Sequence, residues 1–112
     1  MPQASGLGDF EQLVLLAILN LGDDARAAAI RSRIETAAHR GVSRGALYAT
    51  LDRLEAKGYL EWEVEETAPA RGGIPSRRFA ITTPGLEALQ RSWNAVRSLS
   101  SGLERILGGG QA

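Results

Sequence analysis

At Gly58 the spacing of apolar residues changes from that of a helix to that of a strand, and this switch restricts the fold more than any other feature of the chain. Before it, Leu47, Leu51 and Leu54 recur at steps of three and four, one stripe of a helix. After it, Leu60, Trp62 and Val64 alternate with Glu61, Glu63 and Glu65, as on the two faces of a strand. A second alternating run puts Phe79 and Ile81 inward, with Arg78 and Ala80 outward. The intervening stretch 67–76 is rich in Gly and Pro and too long for a tight turn. The two runs therefore predict a β-hairpin with an extended loop.

Helices are expected on both sides of this hairpin. Ser43 is an N-cap for the helix that ends at Gly58, a residue suited to a C-cap. Upstream, 25–38 carries Ala27, Ile30, Ile34 and Ala37 at helical spacing, after a Gly22, Asp23, Asp24 turn that supplies the N-cap. His39, Arg40, Gly41 and Val42 break that helix, with Gly41 suited to the left-handed position. Two short helices around a glycine-containing turn make a helix-turn-helix, and the hairpin behind them is its wing. At the start, Asp9 is the expected N-cap, with Gln12 completing a capping box. The run 10–21 is apolar on nearly all sides, which predicts a central helix.

After the hairpin, Thr83 as N-cap and Pro84 at the first helical position open a last helix reaching residue 107. Leu86, Leu89, Trp93, Val96, Leu103 and Leu107 follow at steps of three and four once Ser100 fills one step, and Leu99 and Ile106 widen the stripe. The pattern is close to a heptad seam on a helix that projects from an already closed core. A stripe of that length predicts cover by a second copy of the chain. The expected fold class is mainly α, an α+β winged helix-turn-helix: three helices, a hairpin wing and a long C-terminal dimerisation helix. Its parts are an arm at 1–8, the winged helix at 9–82, the dimerisation helix at 83–107 and a tail at 108–112.

The length of 112 residues is that of one domain. With no cysteine, disulfides and thiolate zinc sites are excluded, and no metal or cofactor is expected. The apolar run 13–19 is too short to span a bilayer, and no secretory signal pattern opens the chain, so a cytoplasmic protein without membrane association is expected. Catalysis is not expected. His39, the one histidine, lies beside a helix end, and no nucleophile–base pairing or phosphate loop has recognisable spacing.

Thirteen basic and 13 acidic residues cancel, which counts against nucleic-acid binding, because affinity for DNA comes largely from neutralising phosphates. The charges are nonetheless segregated. Residues 68–78 hold Arg71, Arg77 and Arg78 and no acid, whereas the strand before them carries Glu61, Glu63, Glu65 and then Glu66. Such a wing suits phosphate or minor-groove contact. Arg78 has an equally good use in pairing with the glutamates across the hairpin.

The residues of three passages, in this order, identify a resemblance. The stretch 42–60, Val-Ser-Arg-Gly-Ala-Leu-Tyr-Ala-Thr-Leu-Asp-Arg-Leu-Glu-Ala-Lys-Gly-Tyr-Leu, resembles the recognition-helix signature of the PadR family of transcriptional regulators. Arg71, Gly72 and Gly73 are similar to that family's basic wing tip, and the 79–85 passage Phe-Ala-Ile-Thr-Thr-Pro-Gly to its entry into the last helix. The likeness covers 7–107, and the short C-terminal part resembles the small subfamily with a single dimerisation helix. It implies a DNA-binding regulator, a repressor working as a homodimer, and a two-fold dimer presenting its recognition helices as a symmetric pair would require an inverted-repeat operator. Ser43 and Tyr48 map onto residues that contact the DNA backbone.

A helix turn of roughly 100° per residue sets Gly45, Ala49, Asp52, Arg53 and Ala56 opposite the leucine stripe. Gly45 and Ala49 are small enough for close approach to base edges, and Ser43, Arg44 and Tyr48 flank them. The expected DNA contacts are these residues with Arg53, Arg71, Gly72, Gly73 and Arg77; double-stranded DNA is the partner. Leu86, Leu89, Trp93, Val96, Leu99 and Leu103 are the expected dimer seam. Trp93 there fills the interface, and its second use is to stack a small, flat aromatic effector. The competing reading is a winged-helix module that binds protein and not DNA. Neutral net charge favours that reading, and the clustered arginines oppose it.

Overall fold

The computed structural model describes residues 6–65 and 76–109. Helix α1 (Asp9–Leu21), a 3-10 turn (Gly22–Asp24), α2 (Ala27–Ala38) and α3 (Arg44–Ala56) precede a hairpin of β1 (Leu60–Glu65) and β2 (Ser76–Ile81). Helix α4 (Thr83–Ser100) and a short α5 (Glu104–Leu107) follow. The core joins Val14, Leu15 and Ile18 of α1 to Ile30 and Ile34 of α2 and the stripe Leu47, Leu51, Leu54 of α3. Leu60, Phe79, Ala88 and Leu89 close it from the hairpin and α4. Among the described residues no helix is long and apolar enough to cross a membrane.

Several expected boundaries move, each for a physical reason. The N-cap of α1 is Gly8 and not Asp9, because Glu11 reaches back to accept from the Gly8 N–H at 2.8 Å. Helix α1 is not buried all round: Leu16 and Leu19 are 46% and 44% exposed, while Val14, Leu15 and Ile18 are buried. Helix α2 starts at Ala27 with Arg26 as N-cap, not at the Asp24 cap. The backbone of 25–26 is used elsewhere: Ala25 O accepts from the Phe79 N–H at 2.9 Å, and Arg26 bridges Arg78. The 25–26 segment thus lines the free edge of β2.

At the helix-turn-helix turn the left-handed residue is His39 (φ 55°), not Gly41. The turn is held by side chains of α2. Arg31 Nε donates to Val42 O at 2.6 Å, and Glu35 Oε2 accepts from the Val42 N–H at 2.8 Å. With Val42 fixed from both sides, Ser43 adopts extended backbone and its Oγ accepts from the Ala46 N–H at 3.0 Å. This is the expected cap of α3.

The hairpin register runs from Leu60 opposite Ile81 to Glu65 opposite Ser76. Phe79 is buried as expected, yet on β1 only Leu60 is; Trp62 is 38% and Val64 60% exposed. Strand alternation holds, but the hairpin outruns the helices that could cover its far end.

Helix α4 is capped by Thr82 and not Thr83, shifting Pro84 to the second position. Thr82 Oγ1 accepts from the Gly85 N–H at 3.1 Å and donates to Gly58 O at 2.6 Å, tying α4 to the end of α3. Gly85 then passes so close to the strand that a Cβ there would lie 2.3 Å from Tyr59 O. The expected continuous helix to 107 is interrupted after Ser100 by a turn through Ser101 and Gly102 (φ 86°), closed by the Leu103 N–H donating to Ser100 O at 2.8 Å. Two serines and a glycine are too weak as helix formers to carry the helix through.

Candidate nucleic-acid interface

Helix α3 offers its expected outer face to solvent. Ser43, Arg44, Gly45, Ala49, Asp52 and Ala56 are all exposed, and a Cβ on Gly45 would meet nothing within 4 Å. That glycine is therefore not needed for internal packing. Beside this face, Tyr48 is half-buried between two arginines: the Arg44 guanidinium is 5.8 Å and that of Arg77 5.9 Å from its ring centroid. Arg77 also lies 4.8 Å from the Trp62 ring and 5.7 Å from that of Phe79. Strand β2 and the first turns of α3 thus share one cation–aromatic cluster. A guanidinium stacked on rings keeps its N–H edge available to an anion such as a phosphate.

Alternation along the hairpin separates the charges. Arg77 shares a face with Trp62 and Phe79; Glu61, Glu63 and Glu65 lie on the other. On that second face Arg78 pairs with Glu63, the cross-strand use weighed for it in the sequence. Glu65 accepts from Arg26 Nε at 2.6 Å, Arg26 Nη2 at 2.8 Å and Ser76 Oγ at 3.0 Å. The Arg26 hydrogen bonds chiefly hold its carboxyl well below the usual range, at about 2.

Arg53, placed on the outer face by helical spacing, turns toward α1. Its Nε donates to Glu11 Oε2 at 3.3 Å and its Nη2 to Thr50 Oγ1 at 3.1 Å, although 55% of the side chain stays exposed. Glu11 is the centre that sequence reasoning missed. It is nearly buried, with Lys57 Nζ 3.0 Å from both carboxylate oxygens. Burial pushes its pKa up, but the Gly8 N–H, Lys57 and Arg53 outweigh that and leave it below the ordinary value. The available signal was Gly8 followed by Glu11, the spacing of a capping box. Arg71, Gly72 and Gly73 lie outside the described residues.

The residues expected at a dimer seam divide into two sets. Leu89 is buried in the core, while Leu86, Trp93, Val96, Leu99 and Leu103 are exposed, Trp93 by 57% and Leu99 by 81%. Ile106 and Leu107 of α5 continue the exposed set.

A profile of the transcriptional regulator PadR-like family matches residues 15–91. The chain belongs to the PadR-like family. Solved PadR-like structures share its fold. A PadR-like transcription factor from Bacteroides fragilis has a TM-score of 0.67 at 24% identity, covering 87% of this chain and 88% of that one. A PadR-like regulator from Bacillus cereus gives 0.68 at 20% identity, over 89% and 92% of the two chains. A PadR family regulator from Eggerthella lenta gives 0.64 at 23%, over 88% and 84%. No curated protein sequence matches at a significant level. The PadR-like match takes in α1 from Leu15, the whole helix-turn-helix and hairpin, and the first half of α4.

Proposed function

We propose that this PadR-like chain is a sequence-specific DNA-binding regulator, acting as a homodimeric repressor on an inverted-repeat operator. The observation that carries the reading is the shared cluster of Arg44, Tyr48 and Arg77 beside the small, exposed Gly45 and Ala49. The face that lets a duplex approach closely is bordered by two cations. In this reading α3 enters the major groove by its N-terminal turns. Arg44, Arg77 and the α3 N-terminus at Ser43 take phosphates, Gly45 and Ala49 admit base edges, and Tyr48 holds the two arginines in place. Arg71, Gly72 and Gly73 add a basic wing contact, and Arg53, half drawn to Glu11, contributes from the rim.

The second copy covers Leu86, Trp93, Val96, Leu99 and Leu103, with Leu89 supporting the seam from inside each subunit. Trp93 packs in that seam, and a small flat aromatic effector would stack there if one is used. Repression follows from occupancy, because a dimer on a promoter blocks the duplex that polymerase needs. Such a regulator works in the cytoplasm, where the DNA is.

Sedimentation at micromolar concentration is expected to give twice the 12.0 kDa monomer mass. Val96→Glu is expected to dissociate the dimer or unfold it, since each subunit would bury an unpaired carboxylate at the seam. A clean monomer in the wild type contradicts the dimer. A dimer that binds no duplex at low salt returns the chain to the protein-binding reading.

A further inference from the structure

A two-stranded hairpin is marginal by itself, so something must fix the direction in which this wing leaves the domain. The structure provides two fixings, one on each strand of the hairpin. Close to the core, the Phe79 N–H donates to Ala25 O at 2.9 Å. Farther out, Arg26 grips Glu65 through two parallel hydrogen bonds, at 2.6 and 2.8 Å, and Ser76 Oγ joins the same carboxylate at 3.0 Å. Glu65 and Ser76 face one another across the register as its outermost pair. Ser76 is three residues from Phe79, about 10 Å along a strand. A paired hairpin held at two points that far apart, once on β2 and once on β1, cannot swing about either one.

The base of this strut is itself rigid. Arg26 is the N-cap of α2, and its backbone bridges Arg78. Its pairing with Glu65 is largely sheltered, with the two side chains 33% and 17% exposed, whereas Glu63 in the neighbouring pair with Arg78 is 64% exposed. Bidentate geometry and partial shelter distinguish this pair from a solvated surface contact. The cation on the opposite face, Arg77, is one residue from Ser76 and rests on Tyr48 of α3. The angle of the hairpin decides whether it stays there.

We infer that Arg26 and Glu65 are a positioning pair, which holds the wing strands at the angle that keeps Arg77 against α3 and so sets the wing's share of DNA affinity. The inference rests on the DNA-binding reading above. It makes a claim about sign that charge alone would reverse. Glu65 is an anion in a DNA-binding wing, and its removal should tighten binding if only net charge mattered.

The full-length protein is titrated with a labelled random-sequence duplex, comparing wild type with Glu65→Gln, Arg26→Gln and the charge-swapped double variant Arg26→Glu/Glu65→Arg. Each single variant is expected to weaken binding about three- to tenfold, and the swap to restore most of the loss. Unchanged or tighter binding by Glu65→Gln overturns the proposal. Arg26→Lys, which keeps the charge and loses the bidentate grip, is expected to fall between wild type and Arg26→Gln; it serves as the test if a glutamine variant does not fold.

A second readout needs no DNA. The Trp62 indole N–H resonance, sensitive to Arg77 stacked on its ring, is expected to shift in Glu65→Gln while that of Trp93 does not. An unmoved Trp62 resonance overturns the positioning role whatever the titration gives. A wild type that binds no duplex refutes the DNA-binding reading, and with it the affinity part of this inference. The Trp62 shift would then support the strut alone.

Discussion

Replacing Ala49 with leucine is expected to abolish tight specific DNA binding while leaving dimerisation and most weak binding intact. Ala49 is exposed near the middle of α3, on the same face as Gly45 and opposite Leu47, Leu51 and Leu54. Leucine is a good helix former and nothing covers this position, so the fold has no reason to suffer. What changes is the closest distance between the helix axis and the base edges. Three added carbons would hold the helix out of the groove, while Arg44 and Arg77 could still reach phosphates. Specific binding usually exceeds non-specific binding by about 1,000-fold or more, and that margin is at stake. Competition of an operator duplex against random duplex measures it directly. Normal specificity in Ala49→Leu would mean that another face of α3 reads the DNA.

Gly85→Ala is expected to meet the closest contact of any glycine-to-alanine change among the described glycines, at a large cost in stability. The new Cβ would fall 2.3 Å from Tyr59 O and 2.9 Å from Ile81 Cγ1. The oxygen cannot easily move, because it accepts from the Thr82 N–H at 3.0 Å just as Thr82 caps α4. Alanine would ordinarily gain about 1 kcal/mol over glycine inside a helix. Overpacking against backbone opposes this with about 3 kcal/mol or more, so a net loss near 2 kcal/mol is expected. For a domain of this size that lowers Tm by roughly 10 °C. A melting temperature equal to or above wild type would show that α4 can slide away from the strand. Such sliding would also weaken the case for α4 as a rigid support of the seam.

The parts of this molecule legible in the sequence are those decided by neighbours in the chain. Ser43 caps α3 through its own side chain, and Leu47, Leu51 and Leu54 bury the face that their spacing implies. The alternation on either side of the loop gave the hairpin and the inward Phe79. Where the outcome depends on distant partners, local reading stops short. Arg26 has no sequence feature that marks it as an N-cap, because that role follows from the pairing of 25–26 with β2, some fifty residues on. Glu11 looks like an ordinary acid of a first turn until Lys57 and Arg53 arrive from the far end of α3. Arg53 was assigned by angle around the helix, which fixes where its Cβ points and not where a long side chain ends.

The same distinction applies to the site. Arg44, Tyr48 and Arg77 were each named from the sequence, for separate reasons. Their meeting around one ring is a property of the fold, since it needs Arg77 of β2 to reach Tyr48 of α3. Trp93, Val96 and Leu99 are exposed on α4. The helix break at Ser101 and Gly102 lay within the expected seam and was masked there by the apolar spacing on either side of it.

Two recognition faces presented by a symmetric dimer must be served by a symmetric pair of half-sites. Footprinting of the purified wild-type protein on the DNA upstream of its own gene tests this most directly. Protection of an inverted repeat is predicted, with half-site centres about 34 Å apart, one helical turn, or a multiple of that spacing. Protection of a single asymmetric half-site, or none at protein concentrations that saturate the dimer, would contradict the account.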